Sequence, residues 1–548
     1  MHIDKIYIEN FKCFKGLFKF HLNKGLNILV GDNEAGKSTI IEAIHLALTG
    51  LLNGKYLKNE LTQYVFNAEI ISEYIENLEQ GKNIAVLPFV KIEVFMGGED
   101  IAEFEGDGSS EKGKVSGFAL NICFDDKYQK EYEDLVKIGG IKTLPIEYYN
   151  ISWTNFARDE NITPRTIPIK SALIDSSSNR QQNGSDVYIS RIIKEFLESS
   201  EVIEISQAHR RMKEFFMGEP AISKINEKIR TAAKLTEKKV ELSVELTSKN
   251  AWENSLMTYL DDIPFHYIGK GEQCIIKTKL ALGHKKAKEA NILLLEEPEN
   301  HLSHSKLNQL ISEISSANNE RQILVSTHSS FVANKLGLDS LILLNDKKTV
   351  KLNDLKTETE GFFQKLSGYD TLRLILCKKA ILVEGDSDEL IVQRAFMDKN
   401  NKILPIQNGI DVISVGTSFL RFLEIAEKIK KTVVVVTDND GSIEALEKKY
   451  NDYLGNEKKV HIEICFDTTV DNGNLEIAGK GFNYNTLEPK LLKANSLEKF
   501  NRIFGTTYAS DDDMHKYMKS NKTECALKIF ESVELITFPQ YILDAIND

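Results

Sequence analysis

At 548 residues the chain is longer than one ordinary domain, and two or three are expected. Hydrophobic residues at 42% and charged residues at 27% are globular values that exclude wholesale disorder, and no apolar run is long enough to span a bilayer. The formal net charge of -12 does not advertise a nucleic-acid binder, but local patches rather than the total decide such binding, and carboxylates gathered for metal ions lower the total too. The start, Met1-His2-Ile3-Asp4-Lys5, has no basic segment followed by an apolar one, so no secretory signal is expected. Cys13, Cys123, Cys274, Cys377, Cys465 and Cys525 are scattered, which argues against structural zinc and a disulfide framework and suits a reducing, cytoplasmic setting with no membrane partner.

In chain order, Ile3 to Lys12 reads as a strand, and Leu26 to Val30 as a second strand running into a glycine-bounded loop and then an Ile-, Ala- and Leu-rich helix. Alternation such as Val90-Lys91-Ile92-Glu93-Val94 predicts strands between about Ala85 and Phe124, broken by a turn over Glu105 to Gly117. From about Ser185 to Leu256 the periodicity is helical. Ile292–Leu295 and Ile323–Ser326 are apolar runs of the kind buried parallel strands need. A new alternation begins at Ala380: a strand at Ile381–Val383, a helix after Asp388, a strand at Val412–Val415, a helix through Phe419–Ile429 and a strand at Thr432–Val436. That order predicts βαβ units and a parallel sheet. Two basic stretches, Lys228 to Lys239 and Lys277 to Lys288, are candidate DNA contacts, although each also suits a solvated helix face.

Gly31-Asp32-Asn33-Glu34-Ala35-Gly36-Lys37-Ser38-Thr39 matches the phosphate-loop pattern between a strand and a helix. Loop amides and the helix N-terminus offer donors to phosphate, with Asn33, Gly36, Lys37, Ser38 and Thr39 as the nucleotide-binding set; Lys37 adds a point charge and Ser38 a ligand for Mg²⁺. Leu293-Leu294-Leu295-Glu296-Glu297-Pro298 is an apolar strand ending in two carboxylates. Glu296 is placed to support Mg²⁺ and Glu297 to orient or deprotonate the attacking water. His328, in Ser326-Thr327-His328-Ser329, is a candidate for the γ-phosphate. This combination resembles the ABC/SMC ATPase superfamily, in which two heads sandwich ATP. Gly269-Lys270-Gly271-Glu272-Gln273 stands where that superfamily carries a serine-bearing signature; the missing hydroxyl predicts slow turnover rather than loss of binding. Gln63 is a weak candidate for the superfamily's glutamine loop.

A second set of carboxylates follows. Leu382-Val383-Glu384-Gly385-Asp386-Ser387-Asp388 puts a glutamate at a strand end and an aspartate in the next helical turn, and Val436-Thr437-Asp438-Asn439-Asp440 ends another buried strand in Asp-x-Asp. Adjacent parallel strands deliver their C-terminal ends to one edge, so Glu384, Asp388, Asp438 and Asp440 can converge. Hard oxygen ligands without His or Cys select Mg²⁺ or Mn²⁺. Either acidic cluster alone serves equally well as a helix cap or loop.

This arrangement resembles a TOPRIM domain. An ABC-type head followed by TOPRIM resembles the OLD (overcoming lysogenization defect) family of ATP-dependent endonucleases, which includes the nuclease subunit of Gabija-type anti-phage systems. The resemblance implies that Glu488, in Thr486-Leu487-Glu488-Pro489, is a further metal ligand and that Lys522 lies near the scissile phosphate. The fold it implies is α/β. An ABC/SMC-type ATPase domain at 1–345 carries a helical insertion at about 185–256 for dimerisation, a linker runs over 346–379, and a TOPRIM domain with a parallel sheet and a C-terminal helical extension fills 380–548. The implied activity is metal-dependent DNA cleavage with ATP as cofactor. A homodimer or higher even-numbered oligomer and a defence-system partner protein or nucleoprotein are the implied assemblies. The rival reading is an ATP-switched structural or sensor protein whose acidic cluster binds metal without cutting.

Overall fold

The computed structural model describes residues 1–32, 34–53, 55–81, 87–98, 101–175, 181–182, 185–186, 197, 199–232, 242, 259–283, 291–300, 302–317, 321–345, 347–352, 355–366, 370–455 and 458–547. The chain divides into two compact units, Met1–Thr327 with Asp346–Lys348, and His328–Asn345 with Thr349–Asp548.

The first unit contains two sheets. Strands β1 (His2–Glu9), β2 (Leu17–His21), β3 (Leu26–Gly31), β4 (Val90–Gly97), β5 (Val115–Phe124) and β6 (Tyr149–Asn155) open the chain. β2, β1, β4, β5 and β6 pair antiparallel in that order, and along β2 the buried Phe18 and Phe20 alternate with exposed neighbours, as a half-solvated sheet requires. The second sheet is parallel: β7 (Ser171–Asp175), β8 (Ile292–Glu296), β9 (Gln322–Ser326) and β3 lie side by side in that order. Its strands are continuous apolar runs because both faces are covered; Ile28, Leu29, Val30 and Ile292 to Leu295 are fully buried. Helix α1 (Lys37–Thr49) packs against both sheets with Ile40, Ile41 and Ile44 buried, and stops at Gly50, whose φ of 68° lets its N–H reach the carbonyl of Leu46. Gln322 ties one sheet to the other. Its side chain accepts from the Ile3 N–H at 2.8 Å and donates to the carbonyls of Ile3 at 2.7 Å and Asn23 at 2.8 Å.

Of the expected helical insertion, α2 (Ser199–Gly218) and α3 (Pro220–Ala232) lie within the described residues, preceded by a short pairing of Gln181–Gln182 with Ser185–Asp186. Lys228 and Arg230 lie on α3, and Lys277 on α4 (Lys270–Gly283); the remaining basic residues of those two stretches lie largely outside the described residues.

The second unit is built on four parallel strands: β10 (Lys379–Val383), β11 (Ile410–Ser414), β12 (Thr432–Val436) and β13 (Ile462–Cys465), in the order β11-β10-β12-β13. Helices α5 (Asp386–Lys399), α6 (Phe419–Ile429) and α7 (Ile443–Lys449) connect them. Helices α8 (Leu487–Ala494), α9 (Leu497–Phe504), α10 (Asp511–Ser520), α11 (Lys522–Glu531) and α12 (Gln540–Ala545) follow. One core joins Ile381, Val383 and Val434 of the sheet to Ile391, Leu491, Phe500, Met514, Ala526 and Ile542 of these helices. Residues 346–379, expected as a linker, instead hold a strand at Lys348–Lys351 and helices at Thr357–Lys365 and Thr371–Leu376. Phe363, Leu372 and Leu374 are fully or almost fully buried there, and such burial gives short helices the tertiary support that propensity alone lacks.

Candidate functional site

In the first unit, parallel pairing brings the C-terminal ends of β3, β8 and β9 to one edge, with Glu296 opposite Ser326 and Ser326 opposite Leu29. The chain leaves β3 at Gly31 and turns through Glu34 and Gly36, whose φ values are 66° and 107°. A Cβ on Gly36 would lie 2.7 Å from Cζ of Phe14 and 3.0 Å from Sγ of Cys13, so both backbone angle and space demand glycine. Lys37 is buried, and its Nζ donates to the carbonyls of Gly31 at 2.8 Å and Asp32 at 3.0 Å. Burial pulls its pKa down, while Glu297, Asp32 and Glu296 oppose the shift. The ammonium and the two glutamates therefore share one electrostatic site.

Glu297 adopts a φ of 43°, donates its N–H to the carbonyl of Ser326 at 3.0 Å, and accepts from Nδ2 of Asn300 at 2.7 Å. That left-handed backbone is uncommon for a non-glycine residue, and here it turns the second carboxylate off the strand direction. Ser38 is exposed, and Thr39 lies beside Cys13, whose thiol is 3.5 Å from the Thr39 hydroxyl. Asn33 lies outside the described residues. His328 is exposed and is the first residue of the second unit. The side-chain oxygen of Gln63 accepts from the N–H of Leu144 at 3.1 Å. At the end of β7 the backbone of Asp175 pairs in register with Glu296.

In the second unit, Leu382 of β10 pairs with Val435 of β12, so Glu384 and Asp438 leave the sheet at the same edge. Asp388 lies in the first turn of α5 and accepts from the N–H of Gly385 at 3.0 Å. It therefore serves as a helix cap with one oxygen while the other remains for a second partner. Asp438 accepts from the N–H of Leu487 at 3.3 Å, which sets it against the start of α8, and Glu488 in that same turn is buried. Lys522, the first residue of α11, reaches Glu488 at 3.1 Å. Removal from water, together with Glu488 and Glu384, raises the Asp388 carboxyl to about 6. Removal from water, then Asp388, Glu488, Glu384 and Asp440, raises Asp438 well above the carboxylate range. Burial works against the Lys522 ammonium, yet Glu488, Asp438 and Asp388 outweigh it and its pKa is raised. Asp440 is exposed, with a φ of 48°, and is held by Asn483, whose Nδ2 donates to it at 3.0 Å.

The structure thus brings Glu384, Asp388, Asp438, Glu488 and Lys522 together and turns Asp440 toward Asn483. Several carboxylates facing one ammonium, with no His or Cys, are the donor chemistry of a hard divalent cation. Among the described residues no three acidic, His or Cys side chains stand close enough to hold one ion as they lie. Glu384 and Asp440 are exposed, where packing constrains side-chain rotamers least. Beside this edge a cavity of about 390 Å³ is lined by Phe466, Asp467, Lys490, Lys493, Gln540 and Tyr541 among others.

A glycine loop between a buried parallel strand and a helix, with its lysine facing two glutamates at the end of another strand of the same sheet, defines a P-loop ATPase. The chain belongs to the AAA domain family, which it matches over residues 5–461. It is similar to the Retron Ec83 probable ATPase of Escherichia coli, 30% identical over 134 residues that cover 22% of this chain and 23% of that protein. It is also similar to the structural maintenance of chromosomes protein 3 homolog of Plasmodium falciparum (isolate 3D7), 24% identical over 484 residues that cover 84% of this chain and 35% of that one. The chain therefore spans between 23% and 35% of the length of these relatives. Among solved structures, the Smc head bound to the C-winged helix domain of ScpA matches with a TM-score of 0.32 and 16% identity, covering 64% of this chain and 98% of that one. The SMC head domain from Thermotoga maritima matches with a TM-score of 0.30 and 13% identity, covering 65% and 100%. Among the described residues no helix is long and apolar enough to cross a membrane.

Proposed function

We propose that this ATPase is also a divalent-metal-dependent DNA endonuclease of the OLD type, with its second unit acting as a TOPRIM-type nuclease and with anti-phage defence as the role that the family resemblance implies. The observation that carries this reading is the crowding of Glu384, Asp388, Asp438 and Glu488 around Lys522 at the C-terminal edge of a parallel sheet. Burial first, and then mutual charge, raise the Asp388 and Asp438 carboxyls, and carboxylates perturbed in this way at a sheet edge often mark a functional site. On this reading Glu384, Asp388, Asp438 and Glu488 hold Mg²⁺ or Mn²⁺, with Asp440 joining once it leaves Asn483. Bound there, such ions supply activation of water and charge neutralisation at a phosphodiester. Lys522 places its ammonium beside the same edge and offsets charge developing on the phosphate oxygens. In the first unit Lys37 binds the nucleotide phosphates, Ser38 and Glu296 support its Mg²⁺, and Glu297 orients the attacking water, with heads paired in an even-numbered oligomer.

The similarity to a chromosome-maintenance protein favours a second reading: an ATP-switched structural or sensor protein that binds metal without cutting. Incubating the purified protein with supercoiled plasmid and Mg²⁺ or Mn²⁺ separates the two. Nicked or linear product that depends on the metal supports the nuclease; intact plasmid across metals and nucleotides supports the sensor.

A further inference from the structure

Between Asp438 and Asp440 stands Asn439, 2% exposed. Its Nδ2 donates to the carbonyls of Asp467 at 2.6 Å and Thr469 at 2.9 Å, and its Oδ1 accepts from the N–H of Gly441 at 3.0 Å. Both amide hydrogens and the oxygen are engaged, so the side chain has one orientation. The segment it grips, just after β13, is held from the other side by Lys490, 4% exposed. Nζ of Lys490 donates to the Thr469 carbonyl at 2.9 Å and pairs with Asp467 at 2.8 Å and Asp471 at 2.7 Å. Lys490 lies on α8, the helix that carries Glu488 and whose Leu487 N–H binds Asp438. The contacts form a closed ring. Asp438 is bound to the start of α8, α8 through Lys490 to residues 467–471, and those residues through Asn439 back to the peptide beside Asp438.

We propose that Asn439 and Lys490 are positioning residues that set the separation of Asp438 from Glu488, and with it the affinity of this edge for a divalent cation. This rests on the metal-site reading above. Charge alone makes the opposite forecast. Removing the Lys490 ammonium, or turning Asn439 into a carboxylate of the same shape, makes the edge more negative and should tighten cation binding. A ring that positions the ligands makes the same changes weaken it, because residues 467–471 and α8 then lose their common anchor. Outer partners of metal ligands are typically worth ten- to a hundredfold in affinity.

The test is Mn²⁺ titration of the full-length, nucleotide-free protein, following free Mn²⁺ by electron paramagnetic resonance, with thermal melting as a check of folding. Asn439→Asp and Lys490→Met should each bind Mn²⁺ at least about tenfold more weakly than the parent, and Asp438→Ala should lose binding altogether. If Lys490→Met does not fold, the near-isosteric Asn439→Asp carries the comparison. Parental or tighter affinity in the folded variants, with Asp438→Ala still losing the ion, overturns the positioning role and leaves the metal site standing. Parental affinity in Asp438→Ala, or no Mn²⁺ binding by the parent, overturns both.

Discussion

Lys37 is held by two carbonyls of its own loop and faces Glu296 and Glu297, so the nucleotide's phosphates meet a positioned cation backed by carboxylates. Lys37→Ala removes the charge that the phosphates bind and should abolish ATP binding in a fluorescent-nucleotide titration. Glu297→Gln keeps the shape and the contact with Asn300 but not the basicity. It should keep parental affinity and slow hydrolysis by about a hundredfold or more; parental hydrolysis in that variant would remove Glu297 from the mechanism. At the far end of the chain, His515 is buried against Phe482 and Tyr484, with ring centroids 5.0 and 5.5 Å away, and its Nδ1 has no hydrogen-bond partner. Burial lowers its pKa below the ordinary 6.5, against a smaller upward pull from Asp511 and Asp512. The unfolded chain then takes up a proton that the folded one refuses, so stability is lost as pH falls through 6.5 toward the folded value. His515→Phe keeps the ring contacts without the titration. Its melting temperature should drop less than the parent's between pH 7.5 and pH 5.5, and an equal drop would show that His515 does not titrate in this window.

At the scale of elements, the second unit depends on how α5 and α11 are locked together, since one carries Asp388 and the other Lys522. Arg394 of α5 is buried and donates to the carbonyls of Ile529, Phe530 and Ser532 at 2.9, 2.7 and 2.6 Å, closing the C-terminal end of α11, while its Nε pairs with Asp398 at 2.9 Å. Arg394→Met removes the guanidinium donor from the carbonyls of Phe530 and Ser532 and leaves Asp398 paired with Lys402 alone; it should cost about 3 kcal/mol, read from urea unfolding of this unit. A loss under about 0.5 kcal/mol would mean that water replaces the guanidinium without penalty. None of this is visible in sequence order, because 135 residues separate Arg394 from Ile529. What was legible follows from burial on both faces: Val433 to Val436 and Leu293 to Leu295 are apolar without alternation, and the helix over Phe419–Ile429 and the strand over Thr432–Val436 stand where the pattern puts them. The motif positions of Lys37, Glu297, Glu384 and Asp438 were legible for the same reason, since each ends or follows a buried strand. The short helices at Thr357–Lys365 and Thr371–Leu376 were not, because segments under three turns show too little periodicity to be told from a linker. Nor were Asn439, Lys490 and Asn483, whose roles come from partners brought close only by the fold.

At the scale of the whole molecule, the proposal that a second copy completes the nucleotide site predicts an even-numbered oligomer. Light scattering at micromolar concentration should give at least twice the monomer mass of 62.0 kDa in the presence of ATP; a monomer with and without ATP would contradict it. The central claim is that the carboxylates of the second unit cut DNA independently of nucleotide binding by the first. The direct measurement is plasmid cleavage in Mg²⁺ or Mn²⁺ by the parent, Glu384→Ala and Asp438→Ala, with ATP affinity and melting temperature determined on the same samples. Losing one hard ligand should remove several kcal/mol of transition-state stabilisation, on the order of a thousandfold in rate. ATP affinity should be unchanged, and the metal-free variants should melt no lower than the parent because like-charge crowding is relieved. Cleavage by both variants at the parental rate would contradict the account.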